Sequence, residues 1–273
     1  MTDHYFEHPR VTLHYYKYGT GDKNILCFHG FGMHGKQFAL LESTLGSKYT
    51  FYGFDLFFHQ KTRLKDSTLE HVKAGISKRE LANLIEDFCC HENINRFSVI
   101  GYSMGTHYAT AIVEQLVHRI DEYIVAAPAA LNPGMAIRYF SKNRLGNKIL
   151  EKLAISQKAI PRLLFICRNL GLLDSTNYKI FCKETGTPEL RFNFYASMTY
   201  LRHLDTDMAA LKQALQLNHI KSIFIFGTRD RMYPVRIGKK IIPELSQAQT
   251  ILLEKDHEMI DQDFASSLER SLL

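Results

Sequence analysis

A chain of 273 residues with 45% hydrophobic content is long enough to bury a substantial core, and it suits one large α/β domain or a core domain carrying an insertion. The formal net charge is +6, yet no zinc-finger spacing, RNA-binding signature or basic–aromatic repeat accompanies it, so nucleic acid is not an expected partner. Met1 to Arg10 lacks the apolar segment of a signal peptide, no run approaches the length of a membrane-spanning helix, and Cys27, Cys89, Cys90, Cys167 and Cys182 follow no metal-ligand spacing. A cytoplasmic protein with reduced thiols and no metal is therefore expected.

In chain order, Val11 to Tyr18 alternates weakly and stops at the turn cluster Gly19-Thr20-Gly21-Asp22, which reads as an early strand. Asn24 to Phe28 is a short apolar strand ending at His29-Gly30-Phe31-Gly32, and Tyr49 to Phe57 is an aromatic-rich one. Lys78 to Cys90 carries Leu81, Leu84, Ile85 and Phe88 at helical spacing. Phe97 to Ile100 reads as a buried strand, Met104 to Val117 as a helix, and Tyr123 to Ala127 as a strand closed by Pro128. Leu131 to Asp205 then breaks the pattern. Ser222 to Phe226 is a β-branched and aromatic strand ending at Gly227-Thr228-Arg229-Asp230, Thr250 to Leu253 is the last strand, and Phe264 to Leu272 is a closing helix. Strands alternating with helices predict a mostly parallel sheet covered on both faces.

The interrupting stretch is helical in pattern and carries 12 Lys/Arg against 5 Asp/Glu, a balance of +7 that leaves the rest of the chain near neutral. It is expected to form a helical insertion of residues 131–205 over the carboxyl edge of the sheet, where α/β ligand sites usually lie, with 1–130 and 206–273 as the core. Such a basic segment suggests anionic substrates or a weak contact with an anionic surface; the plainer reading is a solvated helical face. Pro161 to Leu170 is apolar with basic punctuation. It either packs the insertion onto the core, lines an acyl tunnel or touches a membrane surface.

The chemistry centres on Gly101-Tyr102-Ser103-Met104-Gly105 between the strand and the helix. A serine at so sharp a corner projects beside the amides that open the helix, where developing negative charge is favoured. It needs a base, and a third group to orient that base. His257, in the loop after the last strand, is the expected base, with His107, one turn beyond Ser103, as its rival. Asp230 is the expected acid, with Asp256 as its rival; the plainer reading of Asp230 is a cap before Pro234. The backbone amides of Phe31 and Met104 are expected to hold an oxyanion, and His29 to serve as a buried hydrogen-bonding residue.

In combination, His29-Gly30 after a strand, Ser103 in its elbow, then Asp230 and then His257 resemble the α/β-hydrolase superfamily, in particular its esterase- and lipase-like members with a helical cap. The resemblance spans about residues 11–130 and 206–273. It implies an eight-stranded, mostly parallel sheet flanked by helices, with an antiparallel second strand and a cap after the sixth, and it implies no cofactor. Three positions depart from the family pattern. Thr106 follows the elbow where relatives carry glycine or alanine, which bears on helix–strand packing. Asp256 precedes the histidine where glycine is common. Asp55-Leu56-Phe57-Phe58-His59-Gln60 stands for Asp-Leu-Pro-Gly-His-Gly, which predicts a differently shaped, bulkier loop.

Phe31, Met33, His34, Phe57, Tyr102 and Met104 are expected to line an apolar and aromatic substrate pocket. The leading expectation is hydrolysis of a carboxylic ester of a small or acyl-chain substrate through an acyl-enzyme on Ser103. A thioesterase, a carbon–carbon bond hydrolase or a lyase is the nearby enzymatic alternative, favoured if Arg138, Arg144, Arg162 or Arg168 binds a carboxylate or phosphate. A ligand-binding receptor that keeps the triad is the non-catalytic one.

Overall fold

The computed structural model describes residues 1–173 and 175–272, with the side chains of Thr176 and Asn177 outside that description. Two compact units are present, one made of Met1–Lys65, Ser77–Asn132 and Leu204–Leu273, the other of Asp66–Ile76 and Pro133–His203. The strands are β1 (Thr2–His8), β2 (Val11–Tyr18), β3 (Lys23–Phe28), β4 (Tyr49–Phe54), β5 (Arg63–Leu64), β6 (Phe97–Tyr102), β7 (Ile120–Ala126), β8 (Lys221–Gly227) and β9 (Ala248–Leu253). The helices are α1 (Glu42–Leu45), α2 (Leu69–Ala74), α3 (Lys78–His91), α4 (Gly105–Leu116), α5 (Met135–Lys142), α6 (Arg144–Ile155), α7 (Ala159–Asn169), α8 (Ser175–Glu184), α9 (Pro188–Tyr200), α10 (Met208–Leu217) and α11 (Gln262–Leu272).

All strands lie in the first unit and form one sheet in the order β1-β2-β4-β3-β6-β7-β8-β9, with the two-residue β5 beside β2. β2 runs antiparallel to both β1 and β4, and every pairing from β4 to β9 is parallel. This is the expected mostly parallel sheet on an eight-strand path, flanked by helices. The sequence pattern does not reveal β1, because Phe6 is its only fully buried residue and an edge strand that faces water shows no alternation. β6 runs on to Tyr102, through a glycine that masks its end.

β4 stops at Phe54, three residues before the expected end. From Asp55 onward, side chains rather than a neighbouring strand satisfy the backbone. Leu56 N–H donates to His29 Nε2 at 3.1 Å, and the hydroxyl of Thr62 donates to the Asp55 carbonyl at 2.6 Å.

α3 opens with a capping box, Ser77 and Glu80 each bonding the other's backbone N–H, and buries Leu81, Leu84, Ile85 and Phe88. The Phe88 ring meets the edges or faces of Phe6, Tyr15 and Phe54 at 5.7, 5.0 and 4.8 Å between centroids. Contacts of this kind are worth about 0.5–1.5 kcal/mol each beyond the area they bury.

The second unit is α2 with α5 to α9. Its interior holds polar side chains that tie helices together. Arg191, 3% exposed, donates from Nε to the Ala154 carbonyl and from Nη1 to that of Thr185. Asn147 donates to the Phe140 carbonyl and to Thr199 Oγ1. α7 buries Ile160, while Leu163, Phe165 and Ile166 on the same helix are exposed.

Candidate active site

Ser103 stands at the end of β6, immediately before α4. Its φ is +49°, a left-handed value that costs a non-glycine residue about 1–2 kcal/mol, and its N–H is held by the Ala126 carbonyl at 3.0 Å. The corner tolerates no side chain on either flank: a Cβ on Gly101 would lie 2.8 Å from the Gly105 carbonyl oxygen, and one on Gly105 only 2.0 Å from that of Phe28. Thr106 fits behind the corner without loosening it. Its buried hydroxyl donates to the Ser103 carbonyl at 2.6 Å and accepts Ala130 N–H at 3.0 Å.

His257 follows β9 and Asp230 follows β8, so both arrive at the carboxyl edge of the same parallel strands. His257 Nε2 is 3.1 Å from Ser103 Oγ, and its Nδ1 is 2.9 Å from Asp230 Oδ2. Asp230 is 3% exposed. Burial pushes its carboxyl up, but the bond to His257 and the amides of Tyr233 and Met232 outweigh this and hold it below the ordinary carboxylate range. An ionised Asp230 only accepts, so Nδ1 of His257 is the donor in this pair and Nε2 is the ring nitrogen that faces the Ser103 hydroxyl. Oδ1 of Asp230 meanwhile takes Met232 N–H at 2.8 Å and Tyr233 N–H at 3.0 Å. The cap reading of this residue and the orienting one thus describe its two oxygens. Asp256 is exposed and accepts Glu258 N–H instead. His107 is half-buried on α4.

Gly30 brings the loop after β3 against the elbow, since a Cβ there would lie 2.7 Å from the Tyr102 ring and 3.6 Å from Ser103 Cβ. The loop is held by three acceptors: Gln37 Oε1 takes Gly30 N–H at 2.9 Å, His59 Nε2 takes Gly32 N–H at 3.1 Å, and Asp55 Oδ1 takes Gly35 N–H at 2.8 Å. His29 is fully buried, with Nδ1 bonded to the Gly30 carbonyl. Burial, followed by the neighbouring His59, pushes its imidazole well below the usual range, so it is neutral.

The six residues expected to line a pocket separate into two groups. Phe31, Met33 and Met104 are half-buried and His34 is exposed. Phe57 is 2% exposed, with its ring against Tyr108 and facing a small apolar void among Phe28, Leu81 and Ile85. Tyr102 is equally enclosed: its ring stacks on His257 at 5.4 Å and its hydroxyl donates to the His257 carbonyl. Its contacts are thus with His257. Gln37, Asp55 and His14 belong to the site's support but escape sequence reasoning. Their one signal is His14, a polar residue among the aromatics of β2, whose Nδ1 lies 2.7 Å from Asp55 Oδ2.

The loop after β4 carries left-handed backbone at two non-glycine positions. Phe58 and Gln60, standing where the family pattern has glycine, keep left-handed backbone at φ +62° and +46°. The backbone there takes glycine-type angles despite the larger side chains.

Among the described residues, no group of three or more His, Cys, Asp or Glu is arranged to hold a metal ion, and no helix is long and apolar enough to cross a membrane. The chain matches the family model of the α/β-hydrolase fold over residues 23–176, and it belongs to that family. Among solved structures it is similar to a hydrolase from Pseudomonas aeruginosa, with a TM-score of 0.71, 14% identity, and coverage of 99% of this chain and 97% of that one. A carboxylesterase study of the thaumarchaeon Nitrososphaera gargenis yields a structure similar at a TM-score of 0.66, with 16% identity over 98% and 97% of the two chains. A putative epoxide hydrolase from Pseudomonas aeruginosa is similar at 0.66, with 15% identity over 99% and 95%. No curated protein sequence matches the chain.

Proposed function

We propose that this protein is a serine hydrolase that cleaves a carboxylic ester of a small or acyl-chain substrate. The observation that carries the reading is the chain of contacts Ser103 Oγ–His257 Nε2 at 3.1 Å and His257 Nδ1–Asp230 Oδ2 at 2.9 Å, at the end of a left-handed elbow. His257 takes the hydroxyl proton as Ser103 Oγ attacks the ester carbonyl, and Asp230 stabilises the imidazolium that forms. The amides of Phe31 and Met104 receive the developing oxyanion. The tetrahedral adduct collapses, the alcohol leaves with the proton from His257, and water, deprotonated by His257, releases the acid from Ser103.

The nucleophile separates this reading from epoxide opening. A serine that opened an epoxide would form an ether, which water cannot resolve by the same steps, whereas an acyl-serine is hydrolysed readily. The scheme uses no metal or cofactor, and its partner is a small ester or acyl compound. Five free cysteines support a reducing, cytoplasmic setting, and the basic 131–205 stretch supports at most a weak contact with anionic surfaces.

The test is turnover of a panel of esters and thioesters by the wild type and by Ser103→Ala. Ester cleavage that disappears in the variant is expected. Thioester turnover without ester turnover would replace the substrate class, and ester cleavage that survives Ser103→Ala would remove the nucleophile.

A further inference from the structure

We propose that His59 is a positioning residue for the turn that carries the Phe31 amide: the lone pair on its Nε2 holds Gly32 N–H and so sets the Gly30–Gly35 loop against Ser103. The inference rests on the reading of Ser103 as nucleophile and of Phe31 as an oxyanion donor.

The tautomer is determined locally. His59 Nδ1 lies 2.9 Å from the Phe57 carbonyl, which can only accept, so Nδ1 is the donor and Nε2 is left to accept Gly32 N–H. The ring is 6% exposed. Its edge-on contacts are with Phe31 at 5.5 Å and His29 at 5.1 Å, so it touches both residues beside Gly30. Gln37 and Asp55 hold the loop at Gly30 and Gly35; His59 alone among these three acceptors holds its middle, one residue from Phe31. The chain on either side of His59 is left-handed without glycine. Such backbone persists only where its surroundings over-determine it, and it concentrates at functional sites.

The clamp depends on an unprotonated ring, because a second ring N–H would face the Gly32 N–H. Burial pushes the His59 imidazole below its ordinary range, against the opposing pull of the Phe57 carbonyl and the Asp55 carboxylate. Facing it are neutral His29 and Asp55, the latter paired with His14. Acid therefore releases the loop at a pH below that at which a free histidine titrates.

The experiment compares the wild type with His59→Phe, which keeps a ring but no acceptor, and His59→Gln, which keeps an acceptor near Nε2 but does not titrate. Fluorophosphonate inactivation is followed across pH, and the Gly32 amide and His59 ring by NMR. His59→Phe is expected to lower the limiting inactivation rate about 100-fold, the scale of a misplaced reacting geometry, with the probe's apparent affinity unchanged. His59→Gln restores the rate and removes one ionisation from the acid limb. In the wild type the Gly32 amide shift follows the His59 titration; in His59→Gln it does not move.

A folded His59→Phe at the wild-type rate, or a Gly32 amide indifferent to His59, overturns the proposal. If His59→Phe does not fold, the acid limb of His59→Gln decides it. If the wild type is never labelled, the nucleophile reading fails on its own, and the Gly32 titration still decides the clamp.

Discussion

The sheet unit and the helical unit both bury polar side chains, but to different ends. In the helical unit Arg191 and Asn147 spend their donors on carbonyls and a hydroxyl of neighbouring helices, which joins α6 to α5 and α9. In the sheet unit the buried groups Asp55, His59, Asp230 and His257 lie in the loops that follow β4, β8 and β9, with His29 following β3, while buried His14 and Glu122 lie within β2 and β7. Left-handed non-glycine backbone occurs there too, at Phe58 and Gln60 after β4 and at Ser103 after β6, as well as at Asn93, Ala127 and His219 elsewhere in the sheet unit. Paired titratable groups beside strained backbone are what the proposed reaction calls for, whereas satisfied polar groups between regular helices serve packing. The helical unit also leaves Phe165 and Ile166 in water, while most aromatics of the sheet unit are enclosed, Tyr5 on the edge strand β1 being exposed.

A change at Asp230 should separate chemistry from stability. Asp230→Asn keeps the bonds from Met232 and Tyr233 but no longer enforces a proton on His257 Nδ1. Turnover should fall about 10,000-fold with little change in unfolding midpoint, which steady-state kinetics and a denaturant titration would check together. In the helical unit Arg191→Met should do the reverse. It leaves the Ala154 and Thr185 carbonyls buried without their partner, a loss of about 1–3 kcal/mol, seen as earlier hydrogen exchange in α6 and α9.

Glycines offer a paired test in backbone terms. Gly105→Ala drives a methyl into the Phe28 carbonyl and should cost about 3 kcal/mol. Gly171→Ala, which meets nothing within 4 Å and pays only for its φ of +69°, should cost about 1 kcal/mol. Comparable losses would mean the elbow is looser than its geometry indicates. The smallest effect concerns pH. His29 and His59 resist protonation in the folded chain, so the unfolded chain binds more protons below a pH of about 6.5. Their contribution is complete above that pH and is lost as pH falls toward their lowered folded values. The fall in urea midpoint on acidification should be smaller in His59→Gln than in the wild type.

The sheet was legible because β3, β6, β7 and β8 are short apolar runs ended by turn residues, and the elbow because Gly101 and Gly105 bracket a serine between two such periods. β1 escaped because a strand with one buried side chain carries no periodic signal. The burial of Phe57 was not legible for a related reason: a strand's alternation shows which residues share a face only while the strand continues, and β4 ends at Phe54. Apart from His14 among the aromatics of β2, the supports of the Gly30–Gly35 loop left no signal, since Gln37, Asp55 and His59 act on backbone amides, and sequence spacing holds no record of which amides need an acceptor.

If His257 makes Ser103 reactive, the modification of Ser103 by an electrophile must depend on His257. The most direct test is peptide mass spectrometry of the protein after a fluorophosphonate probe, on the wild type and on His257→Gln. One adduct is expected, on the peptide that contains Ser103, and it should be lost or greatly slowed in His257→Gln. An adduct elsewhere, or one on Ser103 that forms as fast without His257, would contradict the account.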